Sequence, residues 1–294
     1  MNAVLDTPNP TPGAVTAAPA AVTPQSPNQR AWARFKRNRL GYVSLWIFGV
    51  LLLLCTGAEL ISNDKPLVAR INGQWYLPVF ANPTEKALGG DFETPTDWKD
   101  PLITDLLAKP DNLAVFTLNP HSADSLDYFD KSLPPAEPSG RNFLGTDSKA
   151  RDLLARLIYG FRVSVWFALA LTFVGTALGV LMGALQGYFG GKVDLLLQRL
   201  IEIWGALPEL YLLIIFASIF EPSLLLLLVL LSLFGWIGLS DYVRAEFLRN
   251  RSLEYVKAAR ALGLSNTQII WRHVLPNSLT PVITFLPFRM GTAI

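Results

Sequence analysis

LEYVKAARALGLSNTQIIWRHVLP, residues 253–276, is a compact polar stretch between two strongly apolar ones. Its first part, 253–262, is predicted to be a helix, and Gly263 then has the freedom to end that helix in the left-handed region. Helical spacing groups four residues on one face of this helix: Tyr255, Val256, Ala259 and Leu262.

A second short helix is predicted to follow the glycine. Ser265 and Gln268 have the spacing of a capping box, in which each side chain accepts a backbone N–H of the other residue. Leu264 and Ile269 flank the box as a hydrophobic staple. We expect this helix to end before Pro276, whose ring disfavours a helical residue before it. The sequence therefore predicts two short helices at a fixed angle.

Two helices around a turn of small residues are also typical of DNA-binding helix-turn-helix domains. Ala259, Gly263 and Ser265 are the small residues that such a turn would use. An apolar run at 224–239 precedes the pair, however, and another begins at Leu279, so both ends are tethered at a bilayer. This placement argues against a domain that reads the major groove.

The same residues resemble the cytoplasmic EAA loop of binding-protein-dependent ABC importer permeases, whose pattern is EAA-x-x-x-G, nine residues, then I-x-L-P. Lys257 stands where the family has Glu, and His273 where it has Ile. Both departures look like those common in the peptide-transport branch. The resemblance implies that the loop at 241–277 couples the permease to an ATPase, with Ala259 packed closest to the ATPase surface. The coupling residues so implied are Tyr255, Lys257, Ala258, Ala259, Gly263, Leu264, Leu275 and Pro276.

The composition is that of an integral membrane protein. Hydrophobic residues make up 51% of the sequence and charged residues only 16%, and the apolar residues occur in blocks. The single cysteine, Cys55, lies inside an apolar run, which excludes an internal disulfide framework and a multi-cysteine metal site.

The N-terminal part of the sequence predicts a tail followed by an anchored span. Residues 1–29 are rich in Pro, Ala and Thr, and we expect a disordered cytoplasmic tail. Residues 30–61 combine a basic, aromatic anchor with a first transmembrane helix at 43–61. A cleaved signal peptide is the alternative, but the long tail before the basic cluster argues against it.

A polar insert is predicted at 62–156. It lies on the extracytoplasmic side if the basic cluster before span one is cytoplasmic. Its acidic residues outnumber its basic ones, and Gln74 to Leu77 suggest a short strand. His121 is isolated in the sequence, and we interpret it as a surface histidine.

The end of the insert carries a second motif, LGTD at 144–147 followed by RD at 151–152 and RLIYG at 156–160. It resembles the segment that leads into the transporter core of dipeptide, oligopeptide and nickel permeases. Asp147 is predicted to cap an interfacial helix at 148–159. The motif residues are Gly145, Thr146, Asp147, Arg151 and Asp152.

The transporter core is predicted at 157–294. Span two, 163–188, carries a glycine at every fourth position, which permits close packing inside the subunit or, less commonly, dimerisation. The segment 190–194 is predicted to be a turn, because it lacks the glycine spacing of a phosphate-binding loop. The ridge consists of Gly175, Gly179, Gly183 and Gly187.

Span three, 195–220, contains ionisable residues, which at membrane depth are candidates for function. Glu202 is predicted to pair with Arg199, whereas Glu209 follows the helix-kinking Pro208 and is the better candidate for lining a translocation path. The path candidates are Glu202, Pro208 and Glu209. Span four returns at 224–239, and a fifth begins at Leu279.

These features predict an all-α, polytopic membrane bundle with an extracytoplasmic insert. The resemblance implies the type I ABC importer permease fold and a subunit of an ATP-driven peptide importer in the bacterial inner membrane. Its spacing is most like the Yej-type peptide permeases associated with microcin C uptake. The resemblance also implies a sixth span, so we expect the sequence to be truncated at its C-terminus.

The sequence contains neither a P-loop nor a Walker B-like strand, so we expect the chain to bind no nucleotide, other cofactor or metal. The resemblance places ATP and Mg²⁺ on a partner ATPase. It also implies a homologous second permease subunit and a periplasmic solute-binding protein that delivers peptide. The expected partners thus include the lipid bilayer and exclude nucleic acid.

Two other classes of function remain open. In a proton- or cation-coupled transporter or channel, Glu202, Glu209 and Asp241 would carry the ions, and the helix pair would be a linker. In a membrane-tethered regulator the pair would bind DNA. Neither class explains why the small residues and the proline of the loop keep the register of the importer pattern.

Overall fold

The computed structural model describes residues 26–126 and 133–294, which are mostly helical. It divides at Val50 into two compact units. Of the tail predicted to be disordered at 1–29, residues 1–25 lie outside the described residues. Residues 27–29 belong to helix α1, Pro27–Arg37, which begins at a capping box between Ser26 and Gln29. Helix α2, Arg39–Thr56, follows it.

Aromatic side chains connect these first two helices. Trp32 stacks on Phe35 with ring centroids 5.6 Å apart, and Tyr42 of α2 meets both rings edge-on. Lys36 lies over the Trp32 ring at 5.5 Å. The predicted basic, aromatic anchor is therefore an ordered helix that leads into the first apolar one.

The polar insert contains a small sheet against one short helix. The insert follows helix α3, Ala58–Ile61. The sheet consists of three strands: β1, Val68–Ile71; β2, Gln74–Tyr76; and β3, Leu113–Val115. Strand β1 lies in the centre and pairs antiparallel with both of the others. The strand predicted near Gln74 is confirmed as β2. Helix α4, Pro101–Leu107, packs onto the sheet. The small core holds Ala69, Ile71, Leu88, Trp98 and Ile103.

The interpretation of His121 as a surface residue is wrong, because its side chain is only 1% exposed. The Ser62 hydroxyl donates to the His121 carbonyl at 2.7 Å, and the Lys99 ammonium lies 3.4 Å from the His121 Nδ1 atom. Ser62 ends the α3 region, so these contacts fasten the insert to the end of the first span.

The prediction that Asp147 caps a helix at 148–159 is also wrong. Helix α5, Leu153–Phe189, begins five residues later and is capped by Asp152, whose carboxylate accepts the Ala155 N–H at 2.7 Å. Asp147 instead accepts the Arg151 N–H at 2.9 Å within a tight turn in which Ala150 has a φ of 59°. This bond, ahead of the contact with the Arg151 guanidinium, holds the pKa of Asp147 well below its ordinary value.

Span two is one helix, α5, of 37 residues, so the predicted boundary between insert and core at 156 falls inside it. Span three is broken: α6, Gly191–Gly205, and α7, Glu209–Ile219, meet at 66°. Span four consists of two helices, α8, Leu224–Phe234, and α9, Ile237–Asn250, which meet at a bend of 40°. Within the described chain, two helices are long and apolar enough to cross a membrane, or up to four if each bent pair is one span.

The loop and the helix after it complete the described chain. The loop itself contains α10, Glu254–Ala261, and α11, Asn266–Ile269, then a π-helical segment, Ile270–Val274, and α12, Leu275–Ser278. Helix α13, Thr280–Ala293, lies where the sequence predicts the start of a fifth span. The polytopic helical architecture is confirmed, with the sheet of the insert added to it.

The glycine ridge of α5 packs against α9 of the same chain. A Cβ atom on Gly183 would lie 2.5 Å from the Ser240 carbonyl oxygen, and one on Gly187 would lie 2.4 Å from the Phe247 Cβ atom. No side chain fits at such distances, so α9 lies directly against the backbone of α5 at these positions. This contact explains the ridge by packing inside the subunit.

We expect Gly187→Val to destabilise the protein and Gly160→Val on the same helix to be far milder. Both replace a helical glycine by the same residue, but a Cβ at Gly160 meets nothing within 4 Å. The difference therefore reports overpacking, which costs about 1–3 kcal/mol. Thermal unfolding of the detergent-purified variants measures it, and equal midpoints would show that the ridge contact does not limit stability.

Candidate functional site

The loop and the spans share one hydrophobic core. Val256 and Ala259 of α10 are 0% and 5% exposed, whereas Tyr255 and Leu262 are 37% and 82% exposed. The predicted face is thus divided, because α10 turns Val256 and Ala259 toward its own chain. The shared core consists of Ala184, Tyr188, Leu239, Val243, Phe247, Val256, Ala259, Ile269, Val274 and Val282.

The expectation that Ala259 packs closest to a partner surface is therefore wrong for this structure. Its side chain has almost no free surface, and a small residue is needed there because the core of the chain closes over it. The exposed residues of α10 that belong to the predicted set are Tyr255, Lys257 and Ala258. Lys257 pairs with Glu254 at 2.9 Å in an exposed ion pair.

The turn between the two loop helices has the geometry that the sequence predicts. Gly263 has a φ of 81°, and its N–H donates to the Arg260 carbonyl at 3.0 Å. The Leu264 N–H donates to the Ala259 carbonyl at 3.2 Å, so the helix ends in a Schellman motif. The capping box that starts α11 is present, with the Gln268 side chain accepting the Ser265 N–H at 3.1 Å.

The prediction that the second helical segment of the loop ends before Pro276 is wrong. Helix α11 continues without a break through the π segment into α12. The backbone instead widens into the π segment, in which the Leu275 N–H donates to the Ile270 carbonyl. Pro276 is then the second residue of α12, a position where the first-turn N–H that proline lacks has no partner inside the helix. The wider turn therefore carries the chain through the proline toward the next span, with Leu275 half-buried and Pro276 exposed.

Tyr188, near the end of α5, ties the loop to the spans. Its hydroxyl donates to the Asn266 Oδ1 atom at 2.8 Å, and its carbonyl accepts from the Arg251 guanidinium at 3.1 Å. The Arg260 guanidinium lies over its ring at 5.9 Å. Sequence analysis missed Tyr188, and its only signal there was its position directly after the last ridge glycine.

A second tie joins α6 to α9. The Arg244 guanidinium binds the Asp194 carboxylate through two hydrogen bonds of 2.5 and 2.8 Å, and Asp194 is buried. The sequence predicts Asp194 in a loop turn, but the residue lies in the first turn of helix α6. A carboxylate at a helix N-terminus interacts favourably with the helix dipole. At the other end of the loop, Asn250 donates to the Ser278 hydroxyl at 2.8 Å inside the core.

The candidates for a translocation path lie on either side of the break in span three. Glu202 forms the predicted ion pair with Arg199, and both side chains are largely exposed. Pro208 caps α7 at the break, and Glu209 follows it in the first turn with an exposed side chain. Asp241 of α9 is exposed as well. The second motif, by contrast, surrounds the start of α5, where Asp147 and Asp152 carry out the two separate roles described above.

Comparison with known proteins identifies the family. The chain is 46% identical over 267 residues to the inner membrane ABC transporter permease protein YejE of Escherichia coli (strain K12), which is 91% of this chain and 78% of that protein. The chain belongs to the ABC transporter permeases. Within it, residues 175–294 match the binding-protein-dependent transport system inner membrane component, and residues 26–78 match the N-terminal TM domain of oligopeptide transport permease C.

Two further permeases show how far the similarity extends. The chain is 45% identical over 289 residues to the peptidoglycan transport system permease protein YejE of Agrobacterium fabrum, covering 90% of this chain and 76% of that protein. It is 35% identical over 146 residues to the oligopeptide transport system permease protein OppC of Haemophilus influenzae, covering 50% and 47%. The predicted family and its Yej-type branch are confirmed, and this permease is a membrane transport subunit.

We expect Gly263→Val to loosen the loop of this permease and Gly263→Asn to be tolerated. A Cβ at this position meets nothing within 4 Å, so the only cost is the left-handed backbone, which asparagine adopts readily and a β-branched residue does not. That strain is worth about 1–3 kcal/mol. The loosening is measured as the rate of limited proteolysis within 253–276 in purified variants, after their abundance in the membrane has been shown to be normal. Equal cleavage of both variants would contradict the role of the turn.

Proposed function

We propose that this permease is the transmembrane subunit of an ATP-driven peptide importer and that its EAA-like loop receives the motion of a separate ATPase subunit. The observation that carries the proposal is the loop at 253–276. It combines the register of the importer pattern with a Schellman turn and an exposed outer face. A mere linker between spans needs none of these features.

The exposed side of α10 is the proposed ATPase contact. Tyr255, Lys257 and Ala258 face outward there, and Leu262 extends the surface at 82% exposure. Covering such an exposed apolar side chain with a partner surface is favourable, because it removes apolar area from water. Because Ala259 and Val256 hold the opposite side of α10 in the core, the outward side has a fixed orientation.

The motion would pass from the loop to the spans through contacts within the chain. The shared core and the hydrogen bond from Tyr188 to Asn266 join the loop to α5, and the bond from Asn250 to Ser278 joins α9 to α12. A push on α10 therefore moves α5 and α9 with it rather than bending the loop. Nucleotide binding by the ATPase would bias the permease between two global conformations.

The proposed assembly contains a second, homologous permease subunit, the ATPase and a periplasmic solute-binding protein. In this assembly ATP and Mg²⁺ bind to the ATPase, and this permease contributes no nucleotide site. The proposed cargo is a peptide. The oligopeptide permeases among its relatives support it, and the name of the Agrobacterium relative favours peptides derived from the cell wall within that class.

In the proposed topology the N-terminus and the loop are cytoplasmic and the insert is extracytoplasmic. The basic clusters around α1 and α9 support it, since cytoplasmic segments next to spans carry an excess of Lys and Arg. A topology reporter fused at Asp105 is expected to be active only outside the cytoplasm, and one at Ser265 only inside it. Both reporters active on one side would contradict this arrangement.

We expect tryptophan at Ala258 and at Ala259 to have different effects. Ala258→Trp adds bulk to the proposed contact and should remove the ATPase while the permease stays folded. Ala259→Trp overpacks the core and should destabilise the permease itself by about 1–3 kcal/mol or more. Lys257→Ala lies on the same exposed surface but adds no bulk and removes a surface ion pair worth about 1 kcal/mol at most, so we expect it to weaken ATPase association far less than Ala258→Trp.

Co-purification of the ATPase, ATP-dependent peptide uptake and thermal stability, measured together, separate these outcomes. Stoichiometric ATPase with the unmodified permease supports the importer. Proton-driven flux without any ATPase would instead indicate a secondary transporter. Full ATPase association by Ala258→Trp would show that the exposed side of α10 is not the contact surface.

A further inference from the structure

Arg289 is a charged side chain in the apolar helix α13. It follows Pro276 by 13 residues, which is about 20 Å along a helix at 1.5 Å per residue. With the loop at the cytoplasmic surface, as proposed above, this spacing places Arg289 inside a hydrocarbon core that is about 30 Å thick. Ionisable residues at this depth are costly, and they mark paths for substrates or ions.

Three helices meet around the Arg289 guanidinium. Its Nη2 atom donates to the Gly235 carbonyl at 2.6 Å, at the bend between α8 and α9. The same atom would lie 2.8 Å from a Cβ on Gly175 of α5. The first glycine of the ridge thus differs from Gly183 and Gly187, because it makes room for a charged side chain rather than for the backbone of α9.

The guanidinium has more donors than its surroundings use. Its Nε atom is buried and has no hydrogen-bond partner, and within residues 26–126 and 133–294 no carboxylate forms an ion pair with the guanidinium. Nearby helix turns carry buried hydroxyls whose oxygen atoms also have no hydrogen-bond partner. These are Thr172 and Thr176 on either side of Gly175, and Ser232 one turn before Gly235.

Arg289 is not needed merely to satisfy the bend in span four. The Leu233 carbonyl, exposed by that bend, already accepts from the indole N–H groups of Trp204 at 2.9 Å and Trp236 at 2.8 Å. Arg289 adds one bond to Gly235 and retains the rest of its planar array of donors. A neutral donor would satisfy the Gly235 carbonyl without the cost of a charge in apolar surroundings.

We propose that Arg289 binds the C-terminal carboxylate of the transported peptide as it passes this point of the membrane. A guanidinium matches a carboxylate through two parallel hydrogen bonds. A free peptide carries that carboxylate whatever its side chains are. The inference rests on the proposed function, because it requires that peptides are the cargo.

The test compares uptake of one tripeptide as its free acid and as its C-terminal amide by the complete importer in vesicles. Arg289→Gln keeps an N–H donor but removes the charge, and Arg289→Lys keeps the charge. We expect Arg289→Gln to lower acid uptake about tenfold or more relative to amide uptake. Arg289→Lys should retain most of the preference. The same solute-binding protein delivers both peptides, so its own preference cancels between variants.

Other results would overturn the inference. Equal loss of acid and amide uptake in Arg289→Gln would mean that the residue only supports the bend. Loss of the second permease subunit from the complex would mean that Arg289 pairs with an acidic residue of that subunit. An unchanged ratio, with both peptides transported, would overturn this inference alone, whereas failure of the unmodified importer to transport either peptide would overturn the proposed function.

Discussion

The close approach of α5 and α9 is the contact on which the rest of this permease depends. At Gly183 and Gly187 the two backbones are separated by less than a side chain, which brings Ser240 and Phe247 directly onto α5. Association in lipid depends on such packing, because lipid chains are as apolar as the helix surfaces. With α9 in this position, its C-terminal end reaches the end of α5, and the loop that follows must fold over both.

The loop is therefore part of the helical bundle rather than an appendage to it. Its inner side fills the core between α5 and α9, and Tyr188 supplies a hydroxyl, a carbonyl and a ring to three different loop residues. The residues left outside can bind a partner without disturbing that core. Rigid attachment and a free outer side are what a coupling element needs, since motion that bent the loop would be lost before it reached the spans.

The bends in spans three and four have a different consequence. Where Pro208 and Gly235 interrupt helices, backbone carbonyls lose their partners inside the helix, and an apolar environment offers no water to replace them. Indole groups and Arg289 take that role at the second bend. Irregular backbone at membrane depth occurs where protein or a cavity surrounds it.

Features that depend on neighbours within one or two helical turns followed from the sequence alone. The left-handed Gly263, the capping box after it and the break at Pro208 are of this kind, and all three are present. Pro276 shows the limit of such reasoning, because a π segment can carry a helix through a proline when the packing on both sides rewards continuity.

Only the tertiary structure decided which side of α10 is buried, because the period of the helix leaves more than one side apolar and the position of α5 chooses between them. The same holds for the pairs of Tyr188 with Asn266, of Asp194 with Arg244 and of Arg289 with Gly235. Their partners lie at least 50 residues apart. No local pattern encodes such distances, since they arise when the backbones of α5 and α9 come into contact.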